Sequence, residues 1–377
     1  MKKYRVLLII LLVAALLLGT GVCIVNQGNY EEMTGWKRTA YAILNKNKII
    51  NTDYIGKVSE ETWSSEDSYL LEDTIVLTKE PGKDFVVMNL TDLHIGDYYY
   101  DTPFALREFE AIRRMAELYQ PDLITISGDT FWTESAVYTA HWVSEFMDSL
   151  EIPWAPIFGN HDDDGNCDLN YLADVMMDSE YCLFRKGAPE LGVGNYVINI
   201  CQEADGKQEV MHSILMMDSH DASIWENQID WYKWAATGVN EINGSPVEST
   251  VIFHIPIAQY VYAYEEAWDE ENGCWKEGYD AFGLKKEIQC PEMDENGEPI
   301  DNGFFAAMKE IGTTKNTLCG HDHINDYSIV YDGIRLTYSK RLGISGAYDV
   351  DNMGATLITI NDEGCASVRH VTRYDEE

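Results

Sequence analysis

Asp, His and Asn gather in five short blocks spread over some 230 residues of this chain. The blocks are Asp92-Leu93-His94, Gly128-Asp129, Gly159-Asn160-His161-Asp162, Phe253-His254-Ile255 and Gly320-His321-Asp322-His323. Imidazole nitrogens, carboxylates and an amide oxygen are donors that hard or borderline divalent cations accept together. A carboxylate shared by two such ions holds them about 3.5–4 Å apart, the spacing of hydrolytic two-metal centres. Such a pair activates a water as nucleophile and neutralises the oxyanion that develops. Seven side chains qualify as ligands: Asp92, His94, Asp129, Asn160, His254, His321 and His323. Neutral imidazoles matter here, because four carboxylates would over-neutralise the metals. A lone histidine is more often a hydrogen-bonded core or surface residue, and His141, His212, His220 and His370, with no block around them, read that way. Asp163 and Asp164 read as solvated loop carboxylates.

These side chains need elements that deliver them to one place. Each block follows an apolar, β-prone run: FVVMNL, LITIS, WAPIF, TVIF and TLC. Five strands ending at a common sheet edge would bring the blocks together. Helical stretches are expected over 103–119, 135–150, 168–177 and 225–234, the first with Pro at its opening turn. Further strands are expected near 74–78, 196–200 and 212–218, and short β runs after His323 at 327–331, 334–338, 355–360 and 366–371. Alternating strand and helix predict an α/β fold with a largely parallel or mixed sheet. Residues 257–300 break the pattern, being aromatic, acidic and aperiodic. A segment of that length without regular structure reads as an insertion or functional loop overhanging the site. Its aromatics form either a satellite core or a substrate lid, and Tyr98, Tyr99 and Tyr100 either line a substrate mouth or pack.

With 377 residues the chain can build a large core, and its formal charge of −37 repels polyanions, which excludes generic nucleic-acid binding. An anionic substrate stays accessible if bound divalent ions create a local positive well. Lys2, Lys3 and Arg5 precede an uncharged apolar run over 6–25, about the 20 residues a helix needs to span a bilayer. This is a membrane anchor or a cleaved export signal, with lipidation at Cys23 a poorer match; either way the rest lies outside the cytoplasm. The organisation expected is a signal anchor or signal peptide at 1–27, a stalk and first strand at 28–80, and a catalytic domain at 81–377 with its insertion at 257–300. Seven cysteines follow the apolar run, none as CxxC, and Cys274 with Cys290 would suit a loop-closing disulfide.

The ordered blocks DxH, GD, GNHD, H and GHxH resemble those of the calcineurin-like metallophosphoesterase superfamily over roughly residues 84–340. The resemblance implies a four-layer α/β/β/α sandwich with two divalent transition metals, Mn, Zn or Fe, at the strand ends. Carried over by motif, Asp92, His94, Asp129 and His323 would hold the first metal. Asp129 as bridge, with Asn160, His254 and His321, would hold the second. His161 would protonate the leaving oxygen or stabilise the transition state, with Asp162 orienting its ring. Purple acid phosphatases carry Gly at the position of His94 and Tyr at that of Trp132, so the chain is nearest their non-purple relatives. The function implied is an extracytoplasmic phosphoesterase acting on small phosphate mono- or diesters. The alternatives are a catalytically silent metal-binding scaffold on the same fold, or a pyrophosphate or lipid-headgroup hydrolase.

Overall fold

The runs ahead of the five blocks are strands in the computed structural model, which describes residues 37, 40–41, 52–96, 102–134, 136–204, 206–343 and 352–373. In chain order come β1 (Ile75–Thr78), β2 (Phe85–Leu90), α1 (Thr102–Tyr119), β3 (Leu123–Ser127), α2 (Ala136–Asp148), β4 (Trp154–Ile157) and α3 (Leu169–Met177). Next are β5 (Tyr196–Ala204), β6 (Lys207–Met216), α4 (Glu226–Asn243), β7 (Ser249–Ile252) and α5 (Ala258–Ala267). Three two-residue strands follow, β8 (Trp268–Asp269), β9 (Cys274–Trp275) and β10 (Ala281–Phe282), and then α6 (Phe304–Ile311) and β11 (Thr314–Cys319). The chain closes with β12 (Ser328–Tyr331), β13 (Ile334–Tyr338), β14 (Gly354–Ile360) and β15 (Ala366–Thr372).

Two sheets carry the molecule. One has five strands in the order β15-β14-β2-β3-β4, and the other eight in the order β1-β5-β6-β7-β11-β13-β12-β10. β2, β3 and β4 run parallel in the first sheet, as do β6, β7, β11 and β13 in the second. Parallel strands are covered on both faces, and so β3, β7 and even β4 at its sheet's edge are buried at every residue. Their composition shows it: LITIS, WAPI and STVI hold no charge. The sheets meet through polar contacts at the seam. Tyr196 Oη donates to Pro156 O at 2.5 Å, and Asn89 Nδ2 donates to Ser339 Oγ at 2.8 Å. Outside the eight-stranded sheet, α4, α5 and α6 bury a core that includes Tyr232, Val239, Tyr260, Phe253, Phe304 and Met308.

Every block sits just past the carboxyl end of a parallel strand, where α/β sheets place their ligands. Asp92 follows β2, Asp129 follows β3, Asn160 follows β4, His254 follows β7 and His321 follows β11. Backbone pairing continues beyond the strands. Asp92 N donates to Gly128 O (3.1 Å), His94 N to Asp129 O (3.0 Å) and Ile95 N to Thr130 O (2.9 Å). Gly320 N donates to His254 O (3.0 Å), which zips the two blocks of the second sheet.

Several expectations need correcting. Residues 28–80 were expected as a stalk and first strand; the strand is β1, and from Tyr54 onward the segment belongs to the same compact unit as the sheets. Gly56 N donates to Asp168 Oδ1 (2.9 Å), and Tyr69 is buried against Trp234 with ring centroids 5.3 Å apart. Residues 257–300 are not aperiodic throughout. α5 opens the segment, its register hidden because the buried positions are Ala and Tyr rather than aliphatics. The aromatics behind it are neither a separate satellite core nor free of the fold: Tyr264, Trp268, Trp275 and Tyr327 meet in a chain of ring contacts 5.1–5.9 Å apart that is continuous with the core outside the eight-stranded sheet. The proposed Cys274–Cys290 staple is absent, both being exposed free thiols. The apolar run 6–25, Cys23 and Tyr98–Tyr100 lie outside the described residues, among which no helix is long and apolar enough to cross a membrane.

Candidate metal centre

Four of the seven expected ligands have left-handed backbone. φ is 51° at Asp92, 50° at His94, 51° at Asp129 and 71° at His321. Residues with a Cβ avoid this region at a cost of about 1–3 kcal/mol each, and it clusters where a site needs side chains re-aimed at a strand end. The glycines of the blocks answer a different need. A methyl group at Gly128, itself at φ 93°, would reach to 2.5 Å of the His254 ring, and one at Gly159 would collide with the Asp129 carboxylate. The GD and GNH spellings therefore keep space open around Asp129.

Asp129 is the hub. Its Oδ2 lies 3.1 Å from His94 Nε2 and 3.2 Å from His254 Nε2, and its Oδ1 accepts from His161 N at 2.9 Å. On one side Asp92, His94, Asp129 and His323 each offer a donor atom, all within 4.8 Å of one another. His323 Nε2 is 3.7 Å from Asp92 Oδ1, and the His94 and His323 rings meet edge-on with centroids 4.9 Å apart. On the other side stand His254 and His321, ring centroids 5.3 Å apart. The structure thus brings the four residues expected around the first metal, Asp92, His94, Asp129 and His323, into one cluster, with His254 against its shared carboxylate and His321 packed on His254.

The donor set fits divalent metals on an observation independent of motif. Asn160 Oδ1 is a buried acceptor without a hydrogen-bond partner among the described residues, and a buried acceptor left unsatisfied costs about 1–3 kcal/mol. His254 donates from Nδ1 to Ser127 O (2.8 Å), which turns Nε2 toward Asp129 in the manner of a metal-ligating histidine oriented from its far side. Asp92 is braced similarly, taking Thr91 Oγ1 at 2.8 Å and His321 N at 3.2 Å from each carboxylate oxygen.

The electrostatics point the same way. Burial would raise the carboxyls of Asp92 and Asp129, yet nearby imidazoles, His254 foremost, hold Asp92 below its ordinary range and Asp129 well below. Burial opposes charge on His254, but Asp129 and Asp92 outweigh it and push its pKa up to about 10. Buried His321, beside His254, falls to about 4, and buried His323, beside Arg341 and His94, falls to about 3. Paired carboxylates here draw cationic charge inward, while two imidazoles keep free lone pairs at neutral pH. Metal binding at such a site would displace a proton.

His161 and the carboxylates after it depart from expectation. Asp162 does not orient the His161 ring. It is 1% exposed, and its carboxylate takes Gly159 N (2.7 Å), Phe131 N (2.8 Å) and Asp129 N (3.0 Å), bolting the β4 loop to the β3 loop. Burial and repulsion from Asp129 push its pKa well above the carboxylate range. Asp164, exposed on its loop as expected, makes the ring contact instead, with Oδ2 2.6 Å from His161 Nδ1. Trp132 flanks the same ring at 5.0 Å between centroids and His94 at 5.5 Å.

Two further groups carry no local sequence signal. Arg341, after β13, is 3% exposed; its Nε donates to Asp92 O (3.1 Å), and its Nη2 lies 3.1 Å from His94 Nδ1. Residues 284–290 of the insertion, expected to overhang the site, are stitched to the side of the loop bearing His321 and His323. Glu287 Oε1 accepts from Ile324 N (2.6 Å), Asn325 Oδ1 from Lys286 N (2.7 Å), and Asp322 Oδ2 from Cys290 N (3.2 Å).

The calcineurin-like phosphoesterase family profile matches residues 85–284, more than half of the chain. Probable inactive purple acid phosphatase 14 of Arabidopsis thaliana is 24% identical over 306 residues, 70% of this chain and 71% of that protein. Phosphatase DCR2 of Saccharomyces cerevisiae is 24% identical over 281 residues, 65% of this chain and 45% of its own length. Among solved structures, a dimetal phosphatase from Danio rerio is similar at TM-score 0.45 and 10% identity, covering 77% of this chain and 99% of that one.

Proposed function

The chain belongs to the calcineurin-like phosphoesterase family, and from that premise we propose that it hydrolyses small phosphate mono- or diesters in a metal-dependent reaction outside the cytoplasm. The observation that carries the reading is Asp129, a buried carboxylate that stands in one cluster with Asp92, His94 and His323 and on its other side meets His254 Nε2 at 3.2 Å. Asp92, His94, Asp129 and His323 would hold one divalent ion; Asp129, Asn160, His254 and His321 would hold the other. When bound, such ions supply Lewis acidity toward the phosphoryl group and acidify the attacking water. The protein does the rest. Asp129 fixes the backbone of His161 through its Oδ1, keeping that ring beside the metal ligands without making it one. His161 then gives a proton to the departing oxygen as the P–O bond breaks. The overall charge of −37 favours small substrates over polyanions.

A second reading, a metal-binding scaffold without turnover, is favoured by the name of the Arabidopsis relative, which is called inactive. Both are tested on the purified full-length chain, supplied with Mn²⁺ or Zn²⁺, by metal analysis and a panel of aryl and alkyl phosphates, diesters, pyrophosphate and headgroup phosphoesters. Two metals per chain with chelator-sensitive hydrolysis are expected. Two metals with no turnover would favour the scaffold, and a folded protein that binds none would refute both.

A further inference from the structure

We infer that Asp164 is the positioning residue for His161, holding the ring so that its proton is aimed at the leaving group. The inference rests on the phosphoesterase reading above and deepens it. Three successive carboxylates follow His161, and the fold separates their work. Asp162 is used up by three backbone N–H groups and has no free edge for the ring. Asp164 N donates to His161 O (3.3 Å), so the chain turns back on itself and returns the Asp164 carboxylate to His161 Nδ1 at 2.6 Å. His161 is the side-chain partner of Asp164 among the described residues, and the pair is open to water, 32% and 45% exposed.

That geometry settles which nitrogen does what. Nδ1–H donates to Asp164, which leaves Nε2 as the nitrogen that carries the transferable proton. His161 N is anchored to Asp129 Oδ1, and Trp132 packs at a 35° tilt to the ring, so backbone, ring face and Nδ1 edge are each held. During reaction the Nε2 proton passes to the departing oxygen as its bond to phosphorus breaks; Nδ1–H stays on Asp164, and water returns the proton to Nε2. A pair this exposed adds little to fold stability. Loss of Asp164 should therefore be felt in turnover and not in folding.

The test compares Asp164→Ala, Asp164→Asn and Asp164→Glu with wild type in the full-length, Mn²⁺-loaded protein, on an alkyl phosphoester and on its p-nitrophenyl counterpart. An alkoxide needs a proton to leave, whereas p-nitrophenolate does not. For Ala and Asn, kcat on the alkyl ester should fall on the order of 10²-fold, most of a general acid's contribution. On the nitrophenyl ester the fall should be no more than about threefold, with KM, metal content and thermal midpoint unchanged, and Glu should recover part of the loss. Equal losses on both esters, loss of metal or fold, or no loss in an active enzyme would overturn the assignment. An inactive wild type would instead fail the reading on which it rests.

Discussion

His161 and Asp129 are one hydrogen bond apart, 2.9 Å from backbone N to Oδ1, yet their loss should be felt differently. His161→Ala removes a proton donor and no metal donor, so it should keep both metals and lose about 10²–10⁴ in turnover. Asp129→Ala removes the shared carboxylate, and metal should leave together with activity. Metal analysis beside single-substrate kinetics separates them, and a His161→Ala protein stripped of metal would place that imidazole among the ligands. The gathering of Asp92, His94, Asp129 and His323 was legible in the sequence because each of their blocks follows a β run. Asp162 and Asp164 were not. Three neighbouring aspartates look alike in a string of letters, and only the backbone turn after Asn160 decides which meets backbone N–H groups and which meets the ring. Arg341 was invisible for a different reason: its contacts with Asp92 and His94 span 249 and 247 residues, with no motif to announce them.

Strand ends were the most readable elements, since uncharged runs such as LITIS and STVI suit a strand covered on both faces. α5 and α6 were missed where Ala and Tyr replace the usual aliphatic stripe, or where a helix of eight residues is too short for its period to stand out. His212 shows a tie between elements that no pattern reveals. From β6 it lies 2.9 Å from Thr250 Oγ1 on β7 and 2.9 Å from Gly364 O in the β14–β15 turn, joining both sheets. Burial disfavours its charged form and lowers its pKa from 6.5 to about 4. The unfolded chain takes that proton below about 6.5 and the native state only below about 4. Stability present above 6.5 is therefore lost as pH falls through that window, roughly 2 kcal/mol between pH 7 and 5. Urea unfolding of wild type and His212→Gln at those two pH values measures it: the variant's loss should be smaller by about that amount. Equal losses would show that His212 is not the group titrating.

At the scale of the whole molecule, charge and the N-terminal run bear on where the reaction happens. On the proposed reading, a formal charge of −37 would hold the chain off an anionic bilayer surface and favour soluble or headgroup phosphoesters over bonds buried in lipid. Lys2, Lys3 and Arg5 ahead of the apolar run 6–25 would keep the N-terminus in the cytoplasm and leave the catalytic unit outside. The surface of that unit offers its own reporters, the exposed thiols of Cys274, Cys290 and Cys365. A membrane-impermeant maleimide, added to intact cells after mild reduction, should label the full-length protein as fully as it does after lysis. A variant with all three, and the half-buried Cys182, changed to Ser should lose that labelling while Cys167, Cys201 and Cys319, buried in the fold, stay protected. Labelling that appears only once the cells are broken would place the domain in the cytoplasm and overturn the orientation.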